Sequence, residues 1–162
     1  MKVMNIIQDS IVDGEGLRSV IFLSGCKWQC RGCHNPSSWN MNNGFDLTID
    51  EIVQRLDNPI NEVTISGGDP FLQAKELVEL LKILKLKGKN IWCYTGYSYE
   101  ELLKKKIHRD CLSYINILVD GKFEIGKRDL SLLYRGSANQ RIIDVQQSLA
   151  QDTVVLWKDG NY

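Results

Sequence analysis

The sequence contains little of what characterises several protein classes. Among 162 residues there are three prolines and two histidines, and no apolar run approaches the roughly 18 residues that a membrane-spanning helix needs. Internal repeats, low-complexity tracts and proline-rich linkers are also missing. These absences argue against repeat, disordered, fibrous and membrane-spanning proteins, whereas 43% hydrophobic and 25% charged residues are typical of a globular protein.

The chain has no excess charge of either sign, because its 20 basic side chains balance its 20 acidic ones. It therefore has no overall electrostatic attraction to nucleic acid or to an anionic membrane, and we expect neither as a partner. The first nine residues lack the apolar core of a signal peptide, which predicts a cytoplasmic protein. The length predicts a single domain over residues 1–162.

Short runs rich in β-branched residues alternate with helical patterns. Strands are predicted at 20–23, 62–66, 90–95, 114–119, 141–145 and 153–157. Helices are predicted to end near residues 56, 88 and 106, with a short one after 145, and two of them begin at the capping boxes Thr48–Glu51 and Ser98–Glu101.

This alternation favours a parallel sheet with right-handed crossovers. A complete eight-fold barrel usually needs about 250 residues, more than this chain has. We therefore predict an α/β fold with an incomplete (β/α) barrel of about five or six strand–helix units, open on one side. An open, doubly wound sheet is the alternative.

Four unusual segments follow the ends of predicted strands. They are Cys26–Cys33, Gly67–Pro70, Tyr94–Tyr97 and Asp120–Lys122. Because the carboxyl ends of parallel strands lie on one rim of a sheet, where active sites form, we expect these segments to meet. The sequence therefore predicts a functional site at that rim.

Cys26, Cys30 and Cys33 form a C-x3-C-x2-C cluster on one short loop. Three thiolates can hold three corners of an iron–sulfur cube and leave the fourth iron open to a ligand. Two alternatives stay open for these cysteines. One is a zinc site completed by His34 or a remote cysteine, and the second is a set of reduced thiols without a metal.

This loop resembles that of the radical S-adenosylmethionine (SAM) superfamily. The resemblance implies that Cys26, Cys30 and Cys33 hold a 4Fe-4S cluster whose fourth iron is chelated by the amino and carboxylate groups of SAM. The residue before the third cysteine is often aromatic in that superfamily and is Gly32 here. Adenine contacts are therefore expected from the Gly32 backbone or from His34.

Two further segments resemble SAM-binding motifs. Ser66–Pro70 reads Ser-Gly-Gly-Asp-Pro and is similar to the Gly-Gly-Glu motif that binds the SAM amino group, with Asp69 in place of Glu. Asp120-x-Lys122 is similar to a pair that contacts SAM in glycyl-radical activating enzymes. The resemblance thus implies a cofactor site formed by Gly32, His34, Ser66, Gly67, Gly68, Asp69, Tyr94, Asp120 and Lys122.

Three more segments narrow the resemblance. Asp13–Arg18, Cys33–Pro36 and Arg135–Val145 are similar to the family that activates anaerobic (class III) ribonucleoside-triphosphate reductase. Such membership implies an oxidoreductase whose reduced cluster cleaves SAM to methionine and a 5′-deoxyadenosyl radical. That radical removes a Cα hydrogen from a glycine of the reductase. The resemblance also implies a flavodoxin- or ferredoxin-type electron donor. It implies no side chain that acts as a catalytic acid or base.

Three alternative functions compete with this one. The chain could activate another glycyl-radical enzyme, such as pyruvate formate-lyase, act on a nucleobase precursor, or be a non-catalytic iron–sulfur or zinc module. The interval between His34 and Glu62 has no cysteine for an additional cluster. An electron carrier should offer a fourth cysteine near the loop, and none lies between residues 34 and 92.

The five cysteines cannot all pair in internal disulfides, because their number is odd. Substitution of each cysteine gives a first test of the cluster assignment. Replacing Cys26, Cys30 or Cys33 with Ala should abolish cluster assembly, because each supplies one thiolate. Replacing Cys93 or Cys111, expected to be core residues, should leave it intact. Iron and sulfide content after anaerobic reconstitution measures both outcomes, and cluster loss on changing Cys93 or Cys111 would contradict the assignment.

Overall fold

The computed structural model describes residues 1–158 and contains a seven-stranded sheet with five α-helices. The strands are β1 (Lys2–Ser10), β2 (Arg18–Leu23), β3 (Phe45–Asp46), β4 (Glu62–Gly67), β5 (Ile91–Tyr94), β6 (Ile117–Asp120) and β7 (Arg141–Asp144). The helices are α1 (Ile49–Leu56), α2 (Ala74–Leu86), α3 (Tyr99–Leu102), α4 (Lys106–Leu112) and α5 (Val145–Gln151). Within residues 1–158, no helix combines the length and the apolar surface that crossing a bilayer requires.

The strand order is β3-β1-β2-β4-β5-β6-β7, so β3 and β7 lie at opposite ends and the sheet is open. The pairs β2–β4, β4–β5 and β5–β6 are parallel, as predicted. The parallel prediction is wrong for β7, which pairs antiparallel with β6, and β1, a strand that the sequence patterns did not predict, pairs antiparallel with β2. Neither connection contains an α-helix, and parallel neighbours need a long crossover that is usually helical.

The helix starts that the capping boxes predict are confirmed. Thr48 Oγ accepts a hydrogen bond from the Glu51 N–H at 3.2 Å, and Ser98 Oγ accepts one from the Glu101 N–H at the same distance. The helix predicted to run to about residue 106 ends at Leu102, and a second helix, which was not predicted, begins at Lys106. Lys105 has an extended backbone, with φ −112° and ψ 130°, and this separates α3 from α4.

The strand predicted at 153–157 is also wrong, because this segment makes only an isolated bridge between Leu156 and Ile143. The N–H of Asp144 donates to the Val155 carbonyl and that of Trp157 to the Ile142 carbonyl, both at 2.9 Å. The chain therefore runs beside β7 after α5 without forming a continuous ladder.

Alternating residues of β5 fill the two faces of the sheet. Ile91 and Cys93 join the larger core, which includes the buried leucines predicted from helical spacing, Leu77, Leu80, Leu81 and Leu84. Trp92 belongs to the smaller cluster on the other face, with Ile117 and Val119. This period of two is the expected consequence of strand geometry.

Arg18 fills the second face at the amino-terminal end of the parallel strands. It is 1% exposed and donates to Thr64 Oγ1 at 2.7 Å, and to the Val63 and Asn90 carbonyls at 2.8 and 2.9 Å. Its guanidinium carbon lies 5.4 Å from the Trp92 ring centroid, and burial lowers its pKa to about 10. Arg18 thus fills this end of the second face with a side chain whose hydrogen bonds go to the neighbouring strands.

Arg141 of β7 connects two carboxylates. It donates to Asp120 Oδ1 at 3.0 Å and Oδ2 at 2.5 Å, and to both Glu100 oxygens at 3.0 and 2.8 Å. Asp120 is buried, whereas the Glu100 side chain is about half exposed. Hydrogen bonding to Arg141 lowers the pKa of Glu100 to about 2.

This lowered pKa predicts an acid-sensitive contribution to stability. Because the folded-state pKa lies below the ordinary value of 4.5, Glu100 stabilises the fold above about pH 4.5 and ceases to do so as the pH falls towards 2. Urea unfolding between pH 2.5 and 6 should show a shallower pH dependence for Glu100→Gln than for the unmodified chain. Glu79→Gln, on the exposed side of α2, is the control, and an equal effect of both changes would contradict the prediction.

Candidate cofactor site

The cysteine loop follows β2 and is fixed at both ends by backbone hydrogen bonds. The N–H groups of Gly25 and Cys26 donate to the Ser38 and Trp39 carbonyls at 2.7 and 3.0 Å. Within the loop, the Cys33 N–H donates to the Cys30 carbonyl at 3.0 Å. These bonds join the two ends of the loop formed by residues 25–39.

All three thiols of the loop are free and partly exposed. The Asn35 N–H donates to Cys33 Sγ at 3.4 Å. Burial raises the pKa of Cys26, while the N–H groups of Trp28 and Gln29 act in the opposite direction.

The predicted segments do meet, around a cavity of about 110 Å³ at the carboxyl ends of the parallel strands. Nine residues of the predicted site line it: Cys26, Cys30, Cys33, His34, Ser66, Gly67, Gly68, Tyr94 and Lys122. A larger cavity of about 470 Å³ shares the walls His34, Tyr94 and Phe123 with it, and Gly32 lines that larger cavity. The two adjoining cavities therefore include ten of the twelve predicted residues.

Asp69 does not line either cavity. It is fully buried, and its carboxylate accepts hydrogen bonds from the Trp28 indole N–H at 2.5 Å, the Phe71 N–H at 3.1 Å, the Thr95 hydroxyl at 3.0 Å and the Gly96 N–H at 3.1 Å. Burial raises its pKa, and these four donors oppose the rise. The carboxylate thus ties Trp28 of the cysteine loop to the ends of β4 and β5.

Two glycines let the cysteine loop approach these strand ends. A Cβ at Gly68 would clash with the Gly25 carbonyl oxygen, and one at Gly96 would clash with the Trp28 indole. The same contact region contains two short backbone bonds, from the Gly68 N–H to the Leu23 carbonyl and from the Asp69 N–H to the Gly25 carbonyl, both 2.7 Å. The Gly-Gly-Asp segment therefore has a packing role in this fold.

Asp120 also lies outside the cavity walls, because its carboxylate is bonded to Arg141 and accepts the Tyr99 N–H at 2.8 Å. Lys122, two residues later, does line the cavity, and its Nζ is 4.5 Å from the Trp28 ring centroid. Among the lining residues, Lys122 is the only lysine or arginine. Of the Asp-x-Lys pair, Asp120 is thus buried and engaged in an ion pair, and Lys122 lines the cavity.

Sequence reasoning missed several walls of the cavity, namely Ser38, Trp39, Gly121, Phe123 and Gln140. Ser38, Trp39 and Phe123 belong to no chemical motif. Gly121 and Gln140 lie within the segments Asp120–Lys122 and Arg135–Val145, in which no pattern distinguishes them from their neighbours. Trp39 is notable because its buried indole N–H has no hydrogen-bond partner within residues 1–158. An unsatisfied buried donor is uncommon and indicates a place for a polar ligand.

The residues present fit a 4Fe-4S cluster. Three free thiols face one cavity, thiolates are the ligands such clusters use, and a donor at Trp39 is left unpaired there. No group of three His, Cys, Asp or Glu side chains in the described chain is arranged to hold a single metal ion. A cube binds each thiolate at a different iron, so the three sulfurs need not converge on one point.

Comparison with known proteins assigns the chain. Residues 12–143 match the family model described as a 4Fe-4S single cluster domain. An anaerobic ribonucleoside-triphosphate reductase-activating protein from Pasteurella multocida is 43% identical, over 86% of this chain and 96% of its own length. This chain belongs to the family of anaerobic ribonucleoside-triphosphate reductase-activating proteins.

Further activating proteins of this family extend the similarity across distant sources. That of Escherichia coli K12 is 40% identical, over 80% of this chain and 90% of its own length. The activating protein of enterobacteria phage T4 is 36% identical, over 81% of this chain and 86% of its own length. The match to a 4Fe-4S family favours a cluster over the zinc alternative, and the named relatives favour the ribonucleotide reductase over pyruvate formate-lyase.

The buried Asp69 carboxylate predicts a large loss of stability on substitution in this activating protein. Asp69→Ala leaves four donors unpaired and should lower the free energy of unfolding of the cluster-free protein by about 2–4 kcal/mol. Urea unfolding measures this loss. The control is Asp46→Ala, which removes a carboxylate from an exposed ion pair with Lys2. Its effect on the free energy of unfolding should stay below about 1 kcal/mol. Similar losses in the two variants would contradict the structural role of Asp69.

Proposed function

We propose that this chain activates an anaerobic ribonucleoside-triphosphate reductase by generating a glycyl radical on it, with SAM bound at a 4Fe-4S cluster. The observation that carries the proposal is the meeting of three free cysteines with the Ser66–Gly68 turn and Lys122 around one cavity. Family membership supports the same activity. The proposed protein substrate is the reductase that the relatives are named for.

Cys26, Cys30 and Cys33 would hold the cluster. When bound, the cluster supplies one electron and an open iron, with which SAM is cleaved to methionine and a 5′-deoxyadenosyl radical. The chain's own residues would bind and orient the cluster and SAM. The N–H of Asn35 donates to the Cys33 sulfur, and the rings of Trp28 and Trp39 form part of the cavity wall.

The cavity walls suit the separate parts of SAM. Lys122 is the charged wall and offers an ammonium group to the carboxylate of the methionine moiety. The Ser66–Gly68 turn brings backbone to the cavity without side chains beyond the Ser66 hydroxyl. The adjoining 470 Å³ cavity, with Gly32, His34 and Tyr94 among its walls, has the size of a small-molecule site and would receive the nucleoside part.

Asp69 and Asp120 have supporting roles in this proposal. The sequence motif suggests that Asp69 binds the SAM amino group, but its oxygens are already engaged by four donors of the protein. We assign it to holding the cysteine loop, and Asp120 to anchoring the turn that carries Lys122. Both carboxylates would then affect SAM binding through the residues they position.

The open sheet supports the finer fold assignment, an incomplete (β/α) barrel of the radical SAM type formed by residues 1–162 as one domain. The cavities open at the strand ends, and a sheet that does not close leaves a side by which a loop of another protein can enter. A reduced flavodoxin- or ferredoxin-type protein is the proposed electron donor. The proposed compartment is the cytoplasm, with neither nucleic acid nor membrane as a partner.

The activity can be tested with reconstituted protein under anaerobic conditions. With dithionite and SAM it should release 5′-deoxyadenosine, and mixing with an anaerobic reductase should produce a glycyl radical detectable by electron paramagnetic resonance. Cys93→Ala should behave like the unmodified chain, whereas Cys30→Ala should lose both signals. An assembled cluster that never cleaves SAM, with or without reductase, would refute the enzyme assignment. SAM cleavage without the radical would refute only the choice of partner.

A further inference from the structure

Trp28 connects the outer surface of the cysteine loop to the cofactor cavity. Its ring lines the cavity and meets the Tyr97 ring edge-on, with centroids 4.9 Å apart. Lys27 Nζ lies 4.2 Å from the Trp28 centroid and 4.0 Å from that of Tyr97. The Lys27 side chain is exposed, so this aromatic pair separates the cavity from a surface that carries a positive charge.

Two more exposed lysines lie near the same surface. Lys27 Nζ lies on the Tyr97 ring, which packs against the buried His108 ring at 5.4 Å between centroids, and the His108 backbone N–H donates to the Lys105 carbonyl at 3.1 Å. Lys27 and Lys104 both act electrostatically on the Glu101 carboxylate. We call Lys27, Lys104 and Lys105 the basic patch.

The acidic groups near the basic patch do not cancel its charge. Glu101 is one carboxylate against three ammonium groups, and its Oε2 accepts the Ser98 N–H at 2.8 Å in the capping box. Asp110 pairs with Lys106 at 2.8 Å, outside the patch. A chain with zero net charge thus has a local positive surface beside the aromatic pair, with Lys27 lying over both rings.

We propose that the basic patch is the docking surface for an acidic one-electron carrier protein that reduces the cluster. This inference rests on the proposed function, since it requires a cluster behind Trp28. Charge complementarity selects the occupant, because a positive surface steers a negatively charged protein and repels a basic one. In the transfer, the reduced carrier loses one electron and the cluster gains it, and no bond is formed or broken.

The composition of the patch suits a brief encounter. Lysine is depleted from the cores of stable interfaces, and electron-transfer complexes are small and weak. Exposed lysines raise the association rate without forming a tight complex. Trp28 and Tyr97 then place a carrier seated on the patch within two ring layers of the cavity.

The test compares two double variants with the same change in net charge. Lys104→Glu/Lys105→Glu reverses the patch, and Lys75→Glu/Lys82→Glu reverses two exposed lysines of α2. Reduced flavodoxin is mixed with the reconstituted proteins at low salt, and bleaching of the cluster absorbance gives the reduction rate. We expect the patch variant to be reduced about tenfold more slowly than the α2 variant, with the difference disappearing at high salt. The patch variant without cluster should also bind flavodoxin more weakly in a titration.

Several outcomes would overturn the proposal. Equal reduction rates in the two variants would do so, as would equal flavodoxin binding by their cluster-free forms. A slower reduction of the patch variant by photoreduced deazaflavin, a small molecule that needs no docking surface, would show that the lysines serve the cluster itself. Cluster reduction and flavodoxin binding do not depend on SAM cleavage, so a failure of the docking surface is distinguishable from a failure of the proposed enzyme activity.

Discussion

The architecture of the site depends on one buried carboxylate. Asp69 is removed from solvent and is surrounded by donors from three separate parts of the chain: Trp28, Phe71, and the Thr95–Gly96 turn. Desolvation disfavours the charge, and four hydrogen bonds offset this cost only if all the donors converge. The position of the cysteine loop relative to the strand ends is therefore a condition of satisfying Asp69.

The two ends of the parallel strands differ in what they carry: the amino-terminal end is packed with side chains, and the carboxyl end carries the candidate site. Arg18 and Trp92 fill the sheet at one end, where the guanidinium satisfies the carbonyls of neighbouring strands. At the carboxyl end, the cysteine loop and the segments that follow β4, β5 and β6 surround the smaller cavity. Within the motif Asp13–Arg18, Arg18 packs the amino-terminal end of the strands, whereas Asp13 lines the larger cavity.

The sequence predicts the local elements of this protein well. The two capping boxes, the buried leucine face of α2 and the parallel centre of the sheet all follow from patterns within a few residues. The failures are at the ends of elements and of the sheet. The helix α3 ends before the extended Lys105, and the segment near Leu156 makes one bridge instead of a strand. The backbone hydrogen bonds of that segment go to Asp144 and Ile142 of β7, which no local pattern reveals.

The sequence by itself determined the chemistry of the site, since C-x3-C-x2-C places three thiols on one loop whatever surrounds it. It also indicated that Ser66–Gly68 and Lys122 would join them, because parallel strands end on one rim. Only the tertiary structure decided what Asp69 and Asp120 do. Their partners Trp28 and Arg141 are 41 and 21 residues away, and hydrogen bonds across such separations exist only once the strands between them are assembled.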